Sequence, residues 1–351
     1  MHKIDFLSEL GRLKRPIWKE IKKYLPQKSP TGHYEMVRDY PLRRGKYFRP
    51  GLVLLAAEMF ACSPKHGRRR GGNPRRAALA AAAMQVSEDW LLIHDDAEDH
   101  SLKRRGLPTL NEMHGVELAI NAGDALHMIM WKMLGDNVRL FKDKTGWKIF
   151  DTMNDVLLKA TEGQYLELKW IRDKKVLVPQ KEYLDMIKRK TAYYTMIGPL
   201  KLGALIAGAS EKDIQTIEKW SVPFGYAFQI WDDCMNLKTS DKKQGKEQAG
   251  DIWEGKRTII LSHALLHCSS RERNRMEKIY RKERHQKTEQ DIRYILRLMR
   301  KHGSIAHAEN IARRFSKKAG ALFNKHTAHL KDTKAKQIIR AGIDFVVQRE
   351  A

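Results

Sequence analysis

The sequence predicts an all-α fold. Apolar residues recur at spacings of three and four through most of the 351 positions, breakers interrupt them at intervals, and alternating β-branched stretches bounded by turns are scarce. In a helix that spacing gathers apolar side chains on one face, which must then be buried.

Taken in order, the pattern predicts helices over Glu9–Tyr24, Leu52–Phe60, Arg76–Asp99, Val116–Leu134, Thr145–Trp170, Lys181–Ala207, Ile214–Leu237 and Thr258–Leu266, then from Gln290 to the C-terminus. Breaks fall at Ser29-Pro30, Gly106 to Pro108, Gly135, Pro179 and the polar run Thr239 to Gly250. The segment 64–76, PKHGRRRGGNPRR, holds six Lys or Arg and no acid, and is expected to be an exposed basic loop insertion. A solvated charge run is its plainer reading and an anionic partner surface the sharper one. No internal repeat and no linker composition is visible, so residues 1–351 are expected to form one domain.

Composition narrows the class. With 42% hydrophobic and 31% charged residues the chain can bury a sizeable core. A formal net charge of +25 attracts phosphates, nucleic acids and anionic membranes alike. No nucleic-acid motif and no basic face with interleaved aromatics is visible, so no nucleic-acid partner is expected, while peripheral contact with an anionic membrane stays open. Cys62, Cys234 and Cys268 lie far apart without a CxxC pair, which argues against zinc and against a disulfide framework. No signal peptide and no apolar run of roughly 18 to 20 residues is present, so a cytoplasmic protein is expected.

Two acidic motifs carry the chemistry. In DDAED, Asp95 and Asp99 stand four apart and share a helix face, with Asp96 rotated about 100° away. The apolar run WLLIH leads into them, and clustered carboxylates beside apolar residues call for a cation. Hard Mg2+ suits carboxylate oxygens and completes its coordination with substrate phosphate. Lys103, Arg104 and Arg105 follow at once, where guanidinium forks fit phosphate oxygens. FGYAFQIWDDCMNL repeats the logic with Asp232, Asp233 and Asn236, and a Gly-containing loop downstream supplies Lys246 and Lys256. The recurrence outweighs the plainer reading of each motif as a salt-bridged helix end.

DDAEDHSLKRRGLPT resembles the DDxxD-x4-RRGxPT signature of the trans-isoprenyl diphosphate synthases, the polyprenyl synthetase family. Further matches are GKYFRP at Gly45–Pro50, NAGDAL at Asn121–Leu126, GQYLEL at Gly163–Leu168, KTA at Lys190–Ala192, FQIWDD ending at Asp233, and GKEQAGDIWEGKRT. The resemblance implies an isoprenoid synthase helical bundle around a deep central cavity. It implies a head-to-tail prenyltransferase that condenses isopentenyl diphosphate with an allylic diphosphate, and a homodimer. By the same resemblance Asp95, Asp96, Asp99 and Asp232 hold three Mg2+ ions, with Mn2+ admissible. Arg104, Lys190 and Lys256 neutralise the departing diphosphate, which serves as the final base. Lys190, Thr191 and Gln229 flank the allylic cation, and Asp233 and Lys246 belong to the same substrate site. Lys46, Arg49 and Arg105 match the metal-free isopentenyl diphosphate site.

Three positions depart from the family pattern. Glu88 stands where His or Gln is usual, and is expected to orient Lys46 or an arginine. Asn236 replaces an aspartate, and its amide oxygen still suits a metal or its water. Tyr47 replaces a common basic residue. Trp90, five before Asp95, with Ser87 and Leu91 beside it, resembles the chain-length floor of short-chain synthases, although core packing is its plainer reading. Geranylgeranyl diphosphate is favoured over farnesyl diphosphate as product, and a catalytically impaired subunit of a heteromeric synthase is the non-catalytic alternative. A terpene cyclase fits DDCMN and GKYFRP poorly, and an HD phosphohydrolase centred on His94-Asp95 leaves Asp232 and Lys190 unexplained.

Overall fold

A computed structural model describes residues 5–61, 74–141, 143–238 and 248–349. Lys246, Cys62 and most of the basic segment 64–76 lie outside the described residues.

The chain opens with α1 (Phe6–Ile21), whose N-cap Asp5 accepts from the backbone of Leu7 and Ser8. Next come α2 (Thr31–Arg43) and α3 (Phe48–Ala61). The helix α4 (Pro74–Glu98) is buried on every side along the run 77–86, as expected of a helix apolar all round. It ends in the first acidic motif. A hairpin of two-residue strands, β1 (Lys103–Arg104) and β2 (Leu107–Pro108), follows where sequence reading expects a loop. Arg105 and Gly106 form its turn with φ of 54° and 82°, the left-handed pair that a two-residue hairpin demands.

The central layer continues through α5 (Leu110–His114), α6 (Val116–Leu140) and α7 (Thr145–Arg172). The expected helix Lys181–Ala207 is three pieces: α8 (Gln180–Ile187), a π-helix over Lys188–Ile197, and α9 (Gly198–Ala207). Gly163 on α7 explains part of this geometry, since a Cβ there would stand 2.3 Å from the backbone nitrogen of Lys190. Close approach of α7 holds the wide turns that carry Lys190 and Thr191, and π segments of this kind concentrate at functional sites.

The long α10 (Glu211–Lys238) ends in the second acidic motif. Short α11 (Gly250–Glu254), α12 (Ile259–His267), α13 (Ser270–Tyr280), α14 (Glu289–Lys301), α15 (Ser304–Thr327) and α16 (Lys334–Phe345) complete the described fold. Thus the stretch expected to run from Gln290 to the end is three helices, broken at Gly303, whose φ is 63°.

Packing of α4 on α6, α3 on α9 and α10 on α15 organises three apolar clusters. One lies around α4 and α6, one around the second half of α10 with α12 and α14, and one where α1, α3, α9, α15 and α16 meet. The acidic ends of α4 and α10 are thereby fixed by packed helices. No described helix is long and apolar enough to cross a membrane.

Candidate active site

In each acidic motif the second aspartate is buried and accepts from a tyrosine hydroxyl. Asp96 is wholly buried and accepts from the Tyr40 hydroxyl at 2.5 Å and from Arg104 Nε at 2.9 and 3.0 Å, with Arg104 Nη2 also against it. Burial opposes the charge on Arg104, and Asp96 more than offsets that, so the guanidinium pKa rises. The resemblance implies that Asp96 holds metal; here its oxygens accept from a hydroxyl and a guanidinium in a solvent-free position. In the second motif Asp233 accepts from the Tyr183 hydroxyl at 2.6 Å and from Gln229 Nε2 at 2.8 Å. Burial pushes its carboxyl up to about 7, against those two donors.

The first and fifth positions behave differently. Asp95 meets Lys190 Nζ at 3.3 Å and Arg104 Nη2 at 3.6 Å. Asp99 meets Lys256 Nζ at 3.1 Å. Burial raises the Asp99 carboxyl to about 8 despite that ammonium. Lys190 also holds Glu167 at 2.5 Å and Lys256 holds Glu254 at 2.8 Å. The carboxylates around both partly buried lysines outweigh the loss of solvent and keep them protonated. Lys256, expected on a Gly-containing loop, stands in the loop directly after α11 with its side chain 18% exposed.

Thr191 donates to Gln229 Oε1 at 2.7 Å, so Thr191, Gln229 and Asp233 form one chain of hydrogen bonds. Asp232 is half exposed and meets Arg349 Nη2 at 3.0 Å. Asn236 uses its amide oxygen to accept from the Asp251 backbone at 3.1 Å, pinning α11 to α10. Two narrow spaces of about 20 and 60 Å³ border these residues. Asn236, Asp251 and Lys256 line both. Where the resemblance implies a deep central cavity, ion pairs between lysines and carboxylates stand between the two motifs.

The second basic group lies against α4. Arg49 Nη1 meets Glu88 at 3.3 Å and its guanidinium sits 4.7 Å above the Tyr194 ring. Arg105 meets Asp89 at 2.8 Å and donates to the Tyr40 carbonyl at 2.7 Å. Lys46 is exposed and makes no ion pair among the described residues. Tyr47 is buried. Burial pushes the Asp89 carboxyl up to about 6, although Arg105 opposes this. Of the two partners expected for Glu88, an arginine or Lys46, it is an arginine, Arg49, that it pairs with here.

Ser87 is buried and shares a hydrogen bond with the Tyr194 hydroxyl at 2.9 Å. Trp90 stacks on His127 at 4.0 Å with planes 9° apart. His127 in turn accepts from Trp131 Nε1 at 2.7 Å. Leu91 is partly buried against the same core.

Sequence reading did not single out Tyr40, Tyr183, Glu167, Asp89, Glu254 or Arg349. Glu167 stood inside the quoted GQYLEL. Glu254 stood inside the quoted GKEQAGDIWEGKRT, and the rest meet their partners only through folding, as Tyr40 meets Asp96 from 56 positions away.

Residues 32–299 match the polyprenyl synthetase family model. The chain is 35% identical over 229 residues to a geranylgeranyl diphosphate synthase of Sulfolobus acidocaldarius, covering 65% of this chain and 66% of that one. A crystal structure of geranylgeranyl pyrophosphate synthetase from Pyrococcus horikoshii superposes with a TM-score of 0.82 at 30% identity, over 99% of each chain. A geranylgeranyl pyrophosphate synthase from Corynebacterium glutamicum, complexed with isoprenyl diphosphate and magnesium, shares the fold with a TM-score of 0.85 at 23% identity, over 99% of this chain and 100% of that one.

Proposed function

The chain belongs to the polyprenyl synthetase family, and on that premise we propose that it condenses isopentenyl diphosphate with an allylic diphosphate, head to tail, into linear trans geranylgeranyl diphosphate. One observation carries the reading. Lys190 and Lys256, each paired to an outer aspartate of the first motif, line the space bordered by Asp232, Asp233 and Asn236 of the second.

Asp95, Asp99 and Asp232 are the proposed holders of three Mg2+ ions, with Mn2+ as substitute. Among the described residues no three His, Cys, Asp or Glu side chains converge into a metal cage. That fits Mg2+, which takes one or two carboxylates, keeps waters and completes its coordination with substrate phosphate. Asp99 Oδ2 fits as well, because it is buried with no aligned hydrogen-bond donor and faces only the Lys256 ammonium, at 3.1 Å. When bound, the ions supply positive charge where the diphosphate leaves.

The chain's own residues set the rest. Lys190 and Lys256, held protonated, exchange carboxylate partners for phosphate oxygens of the allylic substrate. The allylic C–O bond breaks and its electron pair leaves with diphosphate. Thr191 and Gln229, already fixed by their mutual hydrogen bond, stand beside the resulting cation. Lys46, Arg49 and Arg105 hold isopentenyl diphosphate, whose double bond attacks the allylic carbon. A proton then passes to the released diphosphate. Arg104 acts by position, presented to Asp95 through its anchor on Asp96.

Trp90, stacked on His127, is the proposed limit on product length, with farnesyl diphosphate as the shorter alternative. Exposed Met128 on α6, with Trp147 and Leu158 on α7, supports a homodimer through these helices. A cytoplasmic location agrees with free Cys234 and Cys268.

The test is incubation with Mg2+, labelled isopentenyl diphosphate and each allylic starter, followed by chain-length analysis. Twenty-carbon product with wild type and none with Asp95→Ala is expected. No elongation by wild type alone rejects the enzyme in favour of an impaired subunit.

A further inference from the structure

The helices α13 and α14 bound a groove of about 1080 Å³ that shares no lining residue with either space beside the acidic motifs. Arg271, Arg275 and Lys278 recur along α13 at helical spacing, and Arg297 and Lys301 along α14. Lys301 is paired with Glu272 at 2.7 Å. The other four cations make no ion pair among the described residues, although α13 and α14 otherwise pair many of their charges.

Two of the four are ordered without being neutralised. The Arg275 guanidinium lies 4.0 Å from the centre of the Tyr294 ring and the Arg297 guanidinium 5.4 Å from it. One ring thus holds two like charges at the groove, an arrangement that a facing anion stabilises.

We propose that this groove docks the chain on an anionic lipid bilayer, with phosphate headgroups between the two helices. Three observations favour a bilayer over other polyanions. The one aromatic side chain of the groove, Tyr294, is covered by guanidinium, so no base can stack where single-stranded nucleic acid would need it. The groove is open and far larger than one phosphate. Leu266, 59% exposed and three residues before groove-lining Ser269, offers an apolar foot beside the charges. The proposal stands on charge and geometry alone and is independent of the catalytic reading.

The test is co-sedimentation of the full chain with vesicles of phosphatidylglycerol and phosphatidylcholine, and with pure phosphatidylcholine. Each Lys or Arg near an anionic leaflet strengthens partitioning roughly fivefold, so Arg275→Gln/Arg297→Gln should weaken binding to the anionic vesicles about 30-fold. Lys212→Gln/Lys317→Gln removes the same charge from exposed positions elsewhere and should weaken it less than about threefold. Circular dichroism checks the fold of both variants, whose substitutions are at exposed positions. Equal losses in the two variants, or no wild-type binding to anionic vesicles, overturns the proposal. So does a groove variant that loses binding to polyuridylic acid while keeping its vesicle binding, which would make the groove a nucleic-acid site.

Discussion

The Tyr40 hydroxyl donates to Asp96 at 2.5 Å and encloses the middle aspartate of DDAED beside Arg104. Asp96 therefore acts on the site through the guanidinium it holds. Asp96→Asn should lower kcat about tenfold or more while the apparent Mg2+ constant stays within roughly threefold of wild type. Asp95→Asn and Asp99→Asn should each weaken Mg2+ by about tenfold or more, read by calorimetry as well as by rate. An equal weakening in all three variants would return Asp96 to the ligand set.

Glu88 sets a second test, because Arg49 is held between its carboxylate at 3.3 Å and the Tyr194 ring. Glu88→Gln keeps a carbonyl acceptor for Arg49 and should change the KM for isopentenyl diphosphate by less than about threefold. Glu88→Ala leaves the guanidinium on the ring alone and should raise that KM roughly tenfold with little change in kcat. If both variants bind isopentenyl diphosphate more tightly, Glu88 repels the substrate and does not position Arg49.

Periodicity and spacing made the long helices legible, and DDAED and DDCMN lie at helix ends as their apolar leaders indicate. Two kinds of feature escaped. The helix α13 is polar, with Met276, Ile279 and Tyr280 its buried residues, and its start is fixed by a capping box between Ser269 and Glu272. The π segment at Lys190 depends on how closely Gly163 lets α7 approach, a tertiary fact that no local pattern carries. The second aspartate of each motif illustrates the same limit. Spacing places Asp96 and Asp233 off the shared face of Asp95 and Asp99, or of Asp232 and Asn236, but only the fold supplies Tyr40 and Tyr183.

Asp89 makes stability depend on pH. Its carboxyl is raised from 3.8 to about 6, chiefly by burial. The folded chain therefore binds a proton more tightly than the unfolded chain. Its contribution is fully present below about pH 4 and is lost as pH rises through about 6, a difference of about 3 kcal/mol. Denaturant unfolding of wild type and Asp89→Asn between pH 4 and 7 checks this. The wild-type curve should fall relative to the variant across that window, whatever offset the lost Arg105 pair adds. Parallel curves would mean that Asp89 keeps an ordinary pKa.

Trp90 joins product length to packing. Its indole is 7% exposed, lies flat on His127, and carries a buried Nε1 with no hydrogen-bond partner among the described residues. A tryptophan retained with an unsatisfied donor argues for the volume of the ring and not for its polarity, since an unpaired buried N–H costs about 1–3 kcal/mol. Trp90→Phe should then keep the stack, remove the orphan donor and leave product length unchanged. Trp90→Ala should open space on the Ser87 side of α4 and shift products beyond twenty carbons, at a stability cost of about 3–5 kcal/mol. Thin-layer chromatography of dephosphorylated products reads both, with thermal unfolding beside it. Unchanged products from a folded Trp90→Ala would make Trp90 a core residue alone and move the floor elsewhere along α4.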